Sequence, residues 1–297
     1  MEKNFLLGTT TAIVTPFKSD LTIDFDRFKR LLDFQLENGV KNICVCGSTG
    51  ESATMTAKEK VSLIVAAVEH VGKDATIIAG TGSNDTRATI DLTILAKEVG
   101  ADAALLVAPY YNKPSQEGLF QHYAAIAEKV DLPLIIYNVP SRAGVNISAE
   151  TQIKLAKSYK NIVATKEASG DLDQISEIIK YSPGKFIVLA GDDSLAVPTI
   201  LFGGKGVVSV ISNYAPKIFS QMVNLALDGD YESAMNIHYD LLDLFALNFI
   251  ETNPIPVKAA LVLMGMIEEY YRLPLIPMRP ENKKLLQKAL KKHKLVK

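Results

Sequence analysis

Lys166 closes the apolar run Ile162-Val163-Ala164-Thr165 and is followed by Glu167-Ala168-Ser169-Gly170. A lysine at the end of a buried strand loses most of the hydration of its ammonium. Burial disfavours the charged form and lowers the side-chain pKa from about 10.4. A neutral amine held in this way attacks a carbonyl and forms a Schiff base. A lone strand-end lysine more often snorkels to solvent, so the chemical reading depends on its neighbours. Tyr137 ends a second apolar run, Leu134–Tyr137. Alone it reads as a packing residue with a hydrogen-bonded hydroxyl; beside an amine nucleophile it can carry protons. Gly47-Ser48-Thr49-Gly50-Glu51 offers two hydroxyls and several backbone N–H groups, which suit a small carboxylate such as that of a 2-oxo acid. Its glycines could equally be turn residues. Arg142 follows Tyr137 and is either an exposed charge or the bidentate partner of a second carboxylate. Glu51 reads as structural, hydrogen-bonding its own loop. Glu167 points away from Lys166 while the strand continues, so it is not read as the base.

These residues need a scaffold, and the apolar pattern supplies one. Short runs at Thr11–Val14, Ile43–Cys46, Thr76–Ala79, Ala103–Ala108, Leu134–Tyr137, Ile162–Thr165, Phe186–Ala190 and Gly206–Val210 are mostly continuous rather than alternating. That suits parallel strands covered on both faces. Helical spacing lies between them: Phe28, Leu31, Leu32 and Leu36 share one face, as do Leu92, Leu95, Ala96 and Val99. Gly39, Gly72 and Gly100 fall where those helices should end. The alternation predicts the α/β class, as an eight-fold β/α (TIM) barrel rather than an open doubly wound sheet. The strand pattern stops after about Tyr214, and a C-terminal helical extension of about 70 residues follows. The expected division is a barrel catalytic domain over 1–225 and the extension over 226–297. Active sites of such barrels lie at the carboxyl ends of the strands. Ser48, Thr49, Tyr110, Tyr111, Tyr137, Arg142 and Lys166 all stand at or just after those ends. Neighbouring strands run about 4.8 Å apart, so Tyr137 and Lys166 can meet if both point inward.

Composition excludes several classes. The chain has 297 residues, is 48% hydrophobic and carries a net charge of -1, with no bias toward nucleic acid or an anionic membrane. No apolar run reaches the roughly 18 residues of a membrane span. The stretch Met1-Glu2-Lys3-Asn4-Phe5-Leu6-Leu7 lacks the pattern of a secretory signal, and a cytoplasmic protein is expected. Cys44 and Cys46 are read as buried thiols on one face of a strand. His70, His122, His238 and His293 show no ligand spacing, and no metal site is expected. Gly80-Thr81-Gly82 lacks the third glycine of a dinucleotide loop. Gly203-Gly204-Lys205-Gly206 reads as a tight turn into a strand, and the Lys291-Lys292-His293-Lys294 ending as a solvated helix terminus.

Taken together, the motifs resemble the dihydrodipicolinate synthase (4-hydroxy-tetrahydrodipicolinate synthase) family, within the N-acetylneuraminate lyase superfamily of Schiff-base barrel aldolases. The resemblance runs from about Gly8 to Pro274 through Thr15-Pro16-Phe17, Gly47 to Thr54, Ala79 to Gly82, Pro109 to Gly118, Tyr137 to Arg142, Lys166 to Gly170, Gly191-Asp192-Asp193 and Asn253 to Lys258. It implies a lyase that condenses pyruvate with L-aspartate 4-semialdehyde in the diaminopimelate route to lysine, with no metal or organic cofactor. By resemblance, Lys166 forms the imine, and Tyr137, Ser48 and Tyr111 form a hydroxyl relay. Thr49 and the backbone at Val208 bind pyruvate, and Arg142 holds the semialdehyde carboxylate. It also implies a homotetramer built as a dimer of dimers, with Tyr111 reaching into the partner's site.

Two departures from the family pattern matter. Ser48 stands where many members carry threonine, which keeps the hydroxyl but restrains it less. Ala57, Lys60 and Ala88 stand where lysine-inhibited members carry two histidines and a glutamate, although Tyr110 is kept. The expectation is weak or absent feedback inhibition by lysine. Two rival readings remain: another pyruvate-dependent aldolase or lyase of the superfamily, such as N-acetylneuraminate lyase, and a non-catalytic regulator that binds a 2-oxo acid.

Overall fold

Every one of the apolar runs becomes a strand, and each strand pairs in parallel with the next until the last pairs with the first. The computed structural model describes residues 6–297. Most of the N-terminal stretch compared above with a secretory signal thus lies outside the described residues. The strands are β1 (Gly8–Ala12), β2 (Asn42–Val45), β3 (Thr76–Gly80), β4 (Ala103–Val107), β5 (Leu134–Asn138), β6 (Ile162–Glu167), β7 (Ile187–Ala190) and β8 (Gly206–Ser209). They form a closed barrel, sealed where Gly8 pairs with Gly206 and Thr10 with Val208. The fold is a TIM barrel with C-terminal helices. Among the described residues, no helix is long and apolar enough to cross a membrane.

Side chains alternate along each strand and divide into an inner and an outer set. Ala12, Cys44, Ile78, Leu105, Ile135 and Tyr137 belong to one buried cluster that fills the barrel. The alternate residues face the surrounding helices. β1 begins at Gly8, earlier than the apolar pattern suggested, and buries Thr9, Thr10 and Thr11, of which, among the described residues, Thr11 alone has a partner for its hydroxyl. Thr11 Oγ1 lies 2.7 Å from Gln35 Oε1 and 2.8 Å from Ser212 Oγ. A buried hydroxyl is tolerated where it is hydrogen-bonded.

The helices between the strands are α1 (Phe25–Glu37), α2 (Ala57–Val71), α3 (Thr86–Glu98), α4 (Gln116–Lys129), α5 (Pro140–Ala143), α6 (Ala149–Ser158), α7 (Leu172–Tyr181) and α8 (Ala196–Leu201). α1 buries Phe28, Leu31 and Leu32 and starts at Asp24, whose side chain accepts from the Arg27 N–H. α3 departs from its expected face. It buries Thr89, Leu92, Thr93 and Ala96, and Leu95 is 39% exposed. The threonines can face inward because their hydroxyls donate back into the helix, Thr93 to Thr89 O at 2.6 Å and Thr89 to Asp85 O at 2.9 Å.

α9 (Pro216–Leu227) packs on β1 and β8 as the last outer helix. α10 (Tyr231–Asp240), α11 (Leu242–Leu247), α12 (Ile255–Leu263) and α13 (Pro280–Lys292) follow. One apolar cluster runs without interruption from Phe28 and Ile43 through Phe219 to Leu244, Leu261 and Leu290. Barrel and extension therefore share a core.

The two cysteines do not share a face. Cys44 lies in the inner cluster and Cys46 in the outer one, because β2 ends at Val45 and Cys46 takes a left-handed backbone with φ 58°. Both are free and buried, and burial pushes the thiols up to about 11 and about 12, respectively. Gly80 and Gly82 serve close packing at the barrel mouth. A Cβ at Gly80 would lie 2.2 Å from Cys46 O, and one at Gly82 would lie 2.3 Å from the Val107 N.

Gly206 enters β8 with φ 154°, and a Cβ there would fall 2.1 Å from Gly8 O, on the seam that closes the barrel. Gly206→Ala should therefore cost about 2–3 kcal/mol of stability, as overpacking against backbone does. A urea unfolding midpoint equal to that of the wild type would contradict this.

Candidate active site

β5 and β6 pair with Tyr137 directly opposite Lys166 and Asn138 opposite Glu167. Both Tyr137 and Lys166 are 6% exposed, and the Lys166 Nζ stands 4.1 Å from the centre of the Tyr137 ring. The sequence-predicted nucleophile and its phenol are thus neighbours at one barrel mouth. Lys166 does not snorkel to solvent.

The glycine loop after β2 is a compact turn. Gly50 N–H donates to Gly47 O at 3.0 Å, and Glu51 N–H donates to Ser48 O at 3.2 Å. Thr15 Oγ1 donates to Gly50 O at 2.7 Å and ties the turn to the loop that follows β1. Thr49 is buried and its Oγ1 accepts from Asn253 Nδ2 at 3.0 Å. Ser48 lines a cavity of about 310 Å³ at the mouth, together with Tyr110, Val139, Arg142 and Asn253. Arg142 lies on the short helix α5 and donates to the Asn253 main-chain oxygen at 3.3 Å. Val208 is buried in β8 with its side chain in the inner cluster.

Tyr111 stands apart from this group. It is 89% exposed and takes a left-handed backbone with φ 68°, a conformation that costs a non-glycine residue about 1–2 kcal/mol. Among the described residues no hydrogen bond joins the hydroxyls of Ser48, Tyr111 and Tyr137, so the single chain does not assemble the relay expected by resemblance.

Glu51 has a structural place, with partners from the far end of the chain rather than from its own loop alone. Its Oε1 accepts from Lys258 Nζ at 2.5 Å and its Oε2 from the Arg272 backbone N–H at 3.4 Å. Lys258 is fully buried between the rings of Phe17 and Tyr271, 4.5 and 4.7 Å from their centres. Burial pushes its pKa down, and the Glu51 charge opposes that shift. The Arg272 guanidinium donates to Thr54 O at 3.0 Å and Leu21 O at 2.8 Å, and holds Glu59 down at about 2. The extension thus grips the glycine loop through Asn253, Lys258 and Arg272. Spacing gave no signal for Asn253; only its membership of the Asn253 to Lys258 motif marked the segment.

Asp193 was also overlooked as a site residue. Its buried carboxylate accepts from the backbone N–H groups of Val210 at 3.1 Å and Ile211 at 2.8 Å, and so fixes the turn leaving β8 beside Val208. Burial pushes Asp193 up to about 6, against the pull of these hydrogen bonds. Burial also pushes His122 down to about 4. Among the described residues no three His, Cys, Asp or Glu side chains are grouped to hold a metal ion.

Residues 5–293 match the model of the dihydrodipicolinate synthetase family. The 4-hydroxy-tetrahydrodipicolinate synthase of Hydrogenobaculum sp. (strain Y04AAS1) is 51% identical over 291 residues, which is 98% of this chain and 100% of that one. That of Aquifex aeolicus (strain VF5) is 49% identical over 288 residues, 97% of this chain and 98% of that one. The crystal structure of dihydrodipicolinate synthase from Aquifex aeolicus matches with a TM-score of 0.96 and 48% identity, covering 97% of this chain and 98% of that one.

The chain belongs to the dihydrodipicolinate synthase family. At the positions compared above with the family's lysine-binding residues, Ala57 and Ala88 are exposed near the starts of α2 and α3. Lys60 lines the mouth cavity beside Tyr110, with its pKa pushed down by burial.

Two consequences can be measured. Lys258→Met leaves the Glu51 carboxylate buried without its cation and should cost about 3–5 kcal/mol. Combining it with Glu51→Gln should recover part of the loss, and a double variant no more stable than the single one would contradict the pairing. For Asp193 the folded state holds its proton up to about pH 6, against about 3.9 for an aspartate in an unfolded chain. The folded state therefore binds more protons than the unfolded one across that window, and this contribution to stability falls as pH rises through it. The slope for one group is at most about 1.4 kcal/mol per pH unit. The stability difference between wild type and Asp193→Asn should therefore shift in favour of wild type as pH is lowered from 6 to 4. A difference independent of pH would refute the assignment.

Proposed function

We propose that this chain condenses pyruvate with L-aspartate 4-semialdehyde to give 4-hydroxy-tetrahydrodipicolinate. The observation that carries the reading is the Lys166 amine held over the Tyr137 ring at the mouth of the barrel, with Arg142 on the rim. Relatives at about half identity over nearly the whole chain carry the corresponding name.

The chemistry follows from the groups present. The Lys166 amine adds to the keto carbon of pyruvate, and loss of water leaves an iminium ion. That cation draws electrons from the adjacent methyl group, which gives up a proton and becomes the enamine carbon. The enamine attacks the aldehyde carbon of the semialdehyde, and the aldehyde oxygen takes a proton. The substrate's own amine then displaces Lys166 and closes a six-membered ring. Tyr137 and Ser48 carry the protons, Thr49 and the Val208 backbone seat the pyruvate carboxylate, and Arg142 pairs with the carboxylate of the semialdehyde. The imine itself is the electron sink, so the route requires neither metal nor organic cofactor.

In this reading Tyr111 completes the relay of a second copy. Its exposure and left-handed backbone suit a side chain that reaches outward, and the assembly is a homotetramer arranged as a dimer of dimers. The enzyme works in the cytoplasm on the diaminopimelate route to lysine. Lysine is a weak inhibitor or none, because the Lys60 ammonium would repel the ligand's own and Ala88 offers no countercharge.

The purified protein should consume pyruvate with aspartate semialdehyde and not with N-acetylmannosamine. Lys166→Ala should abolish turnover, and Tyr137→Phe should lower it by about 100-fold or more while leaving the melting temperature near that of wild type. Consumption with the amino sugar alone would move the chain to the lyase branch and remove the role given to Arg142. Lysine at submillimolar concentration should leave the rate unchanged; strong inhibition would overturn the reading of Lys60.

A further inference from the structure

Glu167 follows Lys166 on β6 and points to the opposite side of the strand, away from the barrel interior. It is buried. Its carboxylate accepts from Asn138 Nδ2 at 2.9 and 3.1 Å, from Gln152 Nε2 at 2.8 Å, from Gln174 Nε2 at 3.1 Å and from the Ser169 backbone N–H at 2.9 Å. Every donor is neutral, and among the described residues no lysine or arginine pairs with Glu167. A buried carboxylate without a cation is costly unless its lone pairs are filled. Here they are filled by side chains from β5, α6 and α7 and by the turn after β6.

The connectivity singles out Lys166. Gln152 binds Glu167 through Nε2 and accepts from Thr165 Oγ1 at 2.7 Å through Oε1. The residues on both sides of Lys166 are therefore tied to one glutamine behind the strand, and the lysine alone faces inward. Asn138, next to Tyr137 in sequence, is the register partner of Glu167. Its Oδ1 also accepts from the Ile147 N–H at 2.9 Å. The same cluster thus holds the strand end that carries the phenol.

We propose that Glu167 is a positioning residue for imine formation. Its carboxylate locks the ends of β5 and β6 from the outer side, so that the Lys166 amine stays over the Tyr137 ring. The proposal rests on the Schiff-base reading and deepens it.

The test is borohydride trapping of pyruvate, which yields two separate quantities. The final amount of adduct per chain counts competent sites, and the rate constant at saturating pyruvate reports how well the amine is placed. Glu167→Gln keeps the side-chain shape but sets an amide N–H₂ against the amides of Asn138, Gln152 and Gln174. It should lower the rate constant by about 10-fold or more, since small displacements of a reacting group cost rates of this order. The amplitude and the pyruvate KM should move far less. A merely structural role would lower the amplitude and leave the rate constant per competent site at the wild-type value, and that result overturns the proposal. If Glu167→Gln does not fold, Gln152→Met gives the same reading: a reduced rate constant at full amplitude supports the lock, and a wild-type rate constant overturns it. A wild-type protein that takes no adduct contradicts the Schiff-base reading itself. An adduct in wild type with an unchanged variant rate contradicts only the role of Glu167.

Discussion

The pairing of Tyr137 with Lys166 across β5 and β6 is the constraint on which the rest of the site depends. A lysine that is to attack a carbonyl must have its flexible side chain held in one place. The closed barrel does this. It removes strand edges, buries Lys166, and brings a phenol ring to its Nζ at 4.1 Å. A slip of one residue in this register would turn Lys166 outward and Glu167 inward. The amide cluster around Glu167 lies where it can oppose such a slip.

A second constraint acts on the loops. A turn rich in glycine and small hydroxyl residues has little packing of its own, yet the proposed reaction needs it to present Ser48 and Thr49 in fixed positions. The C-terminal extension supplies the rigidity. Asn253 binds Thr49 and Arg142, and Lys258 neutralises Glu51 beneath the turn. The shared apolar core carries this support back to the barrel. The extension is thus part of the site's frame, and the charge buried at Glu51 ties it to the loop after β2.

The strands were legible because buried parallel strands read as continuous apolar runs, and the strand ends located the mouth. What escaped was set by tertiary partners. Thr9 to Thr11 look polar in sequence, yet Thr11 is buried against Gln35 and Ser212. Leu95 looks like a core position but is displaced from the buried seam by Thr89 and Thr93, which satisfy their own hydroxyls. Cys46 leaves the strand pattern through one left-handed residue. Glu51 was legible as structural, but its cation lies on α12, and no local spacing could have named Lys258. Asp193 and Glu167 are single carboxylates whose donors come from backbone and amide groups scattered along the chain. Lys166 and Tyr137 were legible as neighbours because each closes an apolar run and the two runs become adjacent strands. Tyr111 shows the limit of a single chain, since its side chain stands in the open.

The central claim is that one lysine, Lys166, becomes covalently joined to pyruvate. The most direct measurement is mass spectrometry of a proteolytic digest after borohydride reduction in the presence of pyruvate. A reduced pyruvyl adduct confined to the peptide containing Lys166 is the predicted result. An adduct on Lys258 or Lys60, or no adduct on an intact and folded protein, would contradict it.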